Sequence, residues 1–123
     1  MKPFASAVLG LRVAYGAALV AAPRRLTARW LGPGATQNAG GRVGLRALGT
    51  REVLLHAGAL AALWRGEPLR PWLIASIGGD LGDIAWTASA RSSLPDGSAP
   101  ATVAVAGGSA LLTALVGLLD AQR

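Results

Sequence analysis

Cysteine is absent from this chain. That excludes disulfides, thiolate metal sites, iron–sulfur clusters and cysteine nucleophiles together, and says nothing of compartment. Histidine occurs once, at His56, so haem held by two histidines of one chain is excluded. Charge is scarce as well. Asp, Glu, Lys and Arg make up 15% of the 123 residues, against about 25% in an ordinary soluble domain. In their place stand hydrophobic residues, 52% of the chain, with a mean hydropathy of +0.44. The balance points to a membrane protein of one domain.

The charge that remains is lopsided, with 12 Lys+Arg against 6 Asp+Glu. A basic chain invites a nucleic-acid reading, but the arginines do not line one polar face with aromatics between them. Arg24, Arg25 and Arg29 form the local group, directly after an apolar segment. Such a cluster suits anionic lipid headgroups, with Trp30 at the same level. The expected partner is therefore a lipid bilayer and not a nucleic acid.

Four apolar segments follow one another, at about 3–22, 41–64, 71–90 and 101–119. Twenty helical residues span about 30 Å, the hydrocarbon thickness of a bilayer. The first segment competes with a signal-peptide reading, because "MKPF" is a short basic start and "VAA" resembles a cleavage site; Arg12 in its middle argues against that. Residues 24–31 suit a short interfacial helix, broken by Gly32-Pro33-Gly34. Short connections make consecutive helices antiparallel neighbours. The expected fold is an all-α, up-down integral membrane four-helix bundle over 1–123, multi-pass in the cell membrane. A soluble Ala-rich bundle is the alternative, but segments 1 and 4 lack the charged outer face it needs. Arginine placement leans toward a cytoplasmic first loop.

Ionisable residues inside such segments mark a function until a partner is named. They are Arg12, Arg46, Arg51, Glu52, His56, Asp80 and Asp83. Apart from the histidine the signs balance, and paired charges are tolerable where isolated ones are not. At about 100° per residue, Ser76, Asp80, Asp83 and Thr87 share a stripe about 60° wide. Glu52 and His56 lie about 40° apart on segment 2, with Gly49 nearby. Thr102, Ser109 and Thr113 share a stripe with Ala106 on segment 4, and Arg12 shares a face with Gly16 on segment 1. The polar faces should turn inward, with Arg12, Arg46 and Arg51 as counter-ions of Asp80, Asp83 and Glu52. On that reading, deleting Asp83 strands an arginine and costs about 3–5 kcal/mol. The network either holds the helices in register or serves a site.

Other chemistry finds little footing. Glu52, His56, Asp80 and Asp83 offer metal ligands, but Glu-x-x-x-His occurs once, off the di-iron spacing, and arginines crowd it. No metal or cofactor is expected. A proton relay through His56 and the carboxylates is chemically open. "GGDLGD" follows no strand, so it is not a phosphate loop, and no serine sits in a nucleophile elbow. Gly78 and Gly82, four apart, read as a small-residue face for helix packing or dimerisation. Trp30, Trp64, Trp72 and Trp86 sit near segment ends and read as interface anchors.

"RVGLRALGTREVLLHAGALAAL" followed by "RPWLIASIGGDLGDIAWT" resembles small, uncharacterised four-helix membrane proteins of high-GC actinobacteria, loosely grouped as DoxX-like. The most specific parts are Arg46, Gly49, Arg51 and Glu52, and the Asp80/Asp83 pair. The resemblance implies a four-helix integral membrane fold and supplies no catalytic residue. It also implies an accessory or quinone-linked role, since some DoxX-like proteins partner redox enzymes. Three functions are thus expected in turn: a non-enzymatic accessory or oligomeric structural component, in a homo-oligomer or larger membrane complex; a small transport or proton-coupled component; a quinone-linked redox partner.

Overall fold

The computed structural model describes residues 1–122. Among them the chain is all-helical, with five α-helices, two 3-10 turns and no strand. The expected spans become α1 (Lys2–Ala21), α3 (Ala39–Arg65), α4 (Arg70–Ser89) and α5 (Ser98–Ala121), with a short α2 (Pro23–Thr27) after α1. Local chemistry sets these limits. Pro3, Pro23 and Pro71 occupy first turns, where a missing N–H costs nothing. Asn38 caps α3 by accepting a hydrogen bond from the Gly41 amide at 2.7 Å. Gly66 ends the same helix in the left-handed region, at φ 74°, a conformation only glycine adopts without cost.

The helices pack with α1 against α3 and α4 against α5 as the closest pairs, and α3–α4 and α1–α5 complete the circuit. Contacts descend along one helix as they rise along its neighbour: Arg12 meets Glu52 while Gly16 meets Gly49. α1 and α3 are therefore antiparallel, and so are α3 and α4, where His56 meets Ser76 and Gly58 meets Trp72.

Along its length the bundle has three levels. One end is an apolar plug in which Leu9, Leu63, Leu69 and Val116 are fully buried. Lys2 closes it over the Trp64 ring at 5.0 Å. The middle level is polar and buried. The third level, beneath α2 and the connection to α3, holds an open cavity.

By length and composition two helices, α1 and α5, are able to cross a membrane. Of the four expected segments, these two pass on length and composition. Arg46, Arg51 and Glu52 in α3, and Asp80 and Asp83 in α4, interrupt the apolar runs of the other two.

Candidate functional site: a buried ion-pair network beside a cavity

Arg12 is the centre of the middle level. It projects from α1 and is buried, with its fork closed on one carboxylate: Nη1 donates to Asp80 Oδ2 at 2.7 Å and Nη2 to Asp80 Oδ1 at 2.5 Å. This bidentate arrangement is the strong form of the arginine–carboxylate pair. Nη2 also reaches Glu52 Oε2 at 3.1 Å, and Nη1 reaches Thr113 Oγ1 at 3.2 Å. One side chain thus ties α1 to α3, α4 and α5.

A second arginine extends the chain of charges outward. Arg51 Nη2 lies 3.3 Å from Glu52 Oε1 and 3.4 Å from Asp83 Oδ2. Charges alternate in sign from Asp80 through Arg12, Glu52 and Arg51 to Asp83. The two ends differ. Asp80 is buried, whereas the side chains of Asp83 and Arg51 are 28% and 44% exposed. The Arg51 guanidinium lies against Gly79, where a Cβ would meet it at an ordinary contact distance of 3.5 Å.

His56 is fully buried beside Glu52. Its Nδ1 lies 2.7 Å from the Glu52 carbonyl oxygen, which only accepts, so Nδ1 carries a hydrogen. Its Nε2 lies 2.8 Å from Ser76 Oγ. A Ser76 hydroxyl donating to an unprotonated Nε2 satisfies both groups, so the hydrogen bonds fit the neutral tautomer. His56 therefore binds α3 to α4 as a hydrogen-bonded core residue.

Of the expected network, Arg12, Arg51, Glu52, His56, Asp80 and Asp83 meet. Arg46 does not: it is exposed and takes no part in these pairs. Six residues from Glu52, it lies about 120° around the helix. Gly78 and Gly82 also depart from expectation, because a Cβ at either meets nothing within 4 Å in this chain. Gly78 is exposed and Gly82 half-buried. Gly16 and Gly49 make the close helix approach instead.

Arg24, Arg25 and Arg29 are exposed on and just after α2. Trp30 is turned inward rather than standing free as an anchor. Its Nε1 donates to Thr102 Oγ1 at 2.5 Å, and its carbonyl accepts from the Ser98 hydroxyl. Trp30 thereby fastens the loop after α2 onto the start of α5. Thr113, Ser76, Thr102 and Ser98 were the polar partners that sequence alone did not assign. The shared polar stripes of segments 3 and 4 were the available signal for the first three.

Beside the network lies a cavity of about 380 Å³. Its walls are largely apolar and aromatic, with Leu11, Leu26, Val105, Tyr15 and Trp30 among them, and Arg12, Glu52, Asp80 and Asp83 face it from one side. Among the described residues no group of three or more acidic or histidine side chains is arranged to hold a metal ion. Arginines stand between the carboxylates instead.

No protein-family model, curated protein or solved structure matches the chain. The fold and site define an all-helical protein with a buried salt-bridge network and two helices suited to crossing a membrane.

Proposed function

We propose that this chain is a small multi-pass integral membrane protein, a four-helix bundle whose buried arginine–carboxylate network fixes the helices, acting as an accessory or oligomeric component. One observation carries the reading: polarity is inverted between inside and outside. Leu11, Leu54, Ile74, Leu81, Val103 and Leu111 face outward from the four long helices, and Trp86 is 78% exposed. Arg12, Glu52, His56 and Asp80 lie inside. In water such an outer surface is a liability. In lipid it is the favourable surface, and buried ionisable groups must then pair internally.

α5 adds support. Only 22% of its most apolar window is buried, and it lies far from the N-terminus. So little cover supports a helix that faces lipid. α3 and α4 need not be apolar throughout, because Arg51, Glu52, Asp80 and Asp83 find ion-pair partners within the bundle. The exposed Arg24, Arg25 and Arg29 suit an anionic headgroup layer.

Alkaline carbonate extraction of cell membranes tests the proposal, together with single cysteines introduced into this cysteine-free chain. The protein should stay in the pellet. A cysteine at Leu111 should resist a water-soluble maleimide, while one at Gln37 or Asp96 should react. Release into the supernatant as a detergent-free monomer would overturn the reading. The accessory role further expects copurification with a larger membrane complex and no ion flux in liposomes.

A second reading, a small transport or proton-coupled component, is favoured by the cavity beside the carboxylates. It expects flux in liposomes that Asp80→Asn or Asp83→Asn abolishes.

A further inference from the structure

We propose that the cavity beside the ion-pair network binds a small organic monocation, an ammonium-type head on an apolar body. The inference goes beyond the membrane reading and does not depend on it, since the cavity is a property of the bundle itself.

Three features select this occupant. The first is charge. Glu52, Asp80 and Asp83 supply three carboxylates, Arg12 and Arg51 two guanidiniums, and the hydrogen bonds of His56 fit its neutral form. One negative charge is left over, and geometry places it. Asp80 is held by both arms of Arg12 and Glu52 is shared by two arginines. Asp83 has only the 3.4 Å contact from a half-exposed Arg51, and it faces the cavity.

The second feature is the wall chemistry. Leu11, Leu26 and Val105 give it an apolar rim that is open on its outer side, while Tyr15 and Trp30 bring aromatic rings to it. Aromatic faces attract cations, most strongly where water is excluded. A carboxylate beside aromatic and aliphatic walls suits a poorly hydrated organic cation better than an inorganic ion, which would demand a shell of oxygens.

The third is size. At about 380 Å³ the space is many times the share of one water molecule, about 30 Å³. It falls in the range of small-molecule sites, roughly 300–1,000 Å³. A dehydrated metal ion would leave most of it empty, whereas a substituted ammonium with one ring fits.

Calorimetric titration of the purified chain in detergent tests this, with benzyltrimethylammonium as probe and its uncharged isostere neopentylbenzene as control. The cation should bind saturably and the isostere should not. Asp83→Asn should weaken the cation at least about tenfold. Ala106→Phe, which fills the cavity without altering a charge, should abolish binding. Equal saturable binding of the isostere would mean an apolar occupant such as a lipid tail, and would overturn the proposal. So would no saturable binding of the cation to the parent chain, the outcome if Asp83 simply carries a proton. Undiminished binding by folded Asp83→Asn would do the same. The comparison of the two probes uses the unaltered chain, so it decides even if a variant fails to fold.

Discussion

Gly16 and Gly49 face each other so closely that each carbonyl oxygen occupies the space a side chain on the other would need. A Cβ on Gly16 would sit 2.7 Å from the Gly49 oxygen, and a Cβ on Gly49 would sit 2.6 Å from the Gly16 oxygen. The obstacle is backbone, so it cannot swing aside. In a helix interior, alanine is favoured over glycine by about 1 kcal/mol, but overpacking typically costs about 1–3 kcal/mol. Gly16→Ala and Gly49→Ala should each lower the melting temperature in detergent. Gly78→Ala, where a Cβ meets nothing within 4 Å, should leave it unchanged or raise it. If all three behave alike, the α1–α3 approach is looser than described.

The ends of the ion-pair chain should differ in energy. Arg12→Ala leaves Asp80 and Glu52 buried without their shared partner, which costs about 3–5 kcal/mol. Arg12→Lys should rescue little of this, because an ammonium cannot close on both oxygens of Asp80 as the guanidinium fork does. Asp83→Ala should cost only about 0–1 kcal/mol, the scale of an exposed pair. That is smaller than the loss expected from sequence, because Asp83 is less buried than Asp80 and its contact with Arg51 is longer. Denaturant unfolding of the variants side by side ranks them; an Asp83→Ala loss equal to that of Arg12→Ala would refute the ranking.

Among the described residues, Ser76 is the sole hydrogen-bond partner of His56 Nε2. Ser76→Ala strands a buried ring nitrogen, at a cost of about 1–3 kcal/mol. Replacing both residues by apolar ones of similar shape, as in His56→Phe with Ser76→Ala, should cost less than the two single changes summed. A double-mutant cycle measures the difference, and strict additivity would show that the pair is not coupled.

Thr102 receives the Trp30 indole N–H and donates to the Ser98 carbonyl. Thr102→Val removes both while keeping the shape. The loss should be about 1 kcal/mol, and hydrogen exchange should quicken in residues 28–38 while the apolar plug at the opposite end stays protected. Faster exchange spread evenly through the bundle would argue against a local fastening.

The long helices and much of the central site were legible because both follow from angular spacing. A period of about 100° per residue puts Ser76 and Asp80 on one face, and Glu52 with His56 on another. What spacing does not convey is reach and mutual rotation. Arg51 begins about 100° from Glu52, yet its long side chain folds back across Gly79 to touch Glu52 and Asp83. Arg46, at a comparable angle of about 120° from Glu52, stays outside. The glycines carried a similar ambiguity. Gly78 and Gly82 have the spacing of a packing face, while Gly16 and Gly49 gain their role only when two separate helices are set in register. The inward turn of Trp30 depended on α5, whose Ser98 and Thr102 lie some seventy positions further on.

Arg12 also imposes an order in time. It is made early, but its partners arrive late: Glu52 follows by 40 residues, Asp80 by 68 and Thr113 by 101. As the ribosome delivers the chain from its N-terminus, α1 emerges with an unmatched guanidinium. It gains one carboxylate with α3 and its bidentate mate only with α4. The first helix is therefore the last to be completed. A nascent chain halted with Asp80 still inside the ribosome should hold α1 less firmly than one halted after Asp80 has emerged.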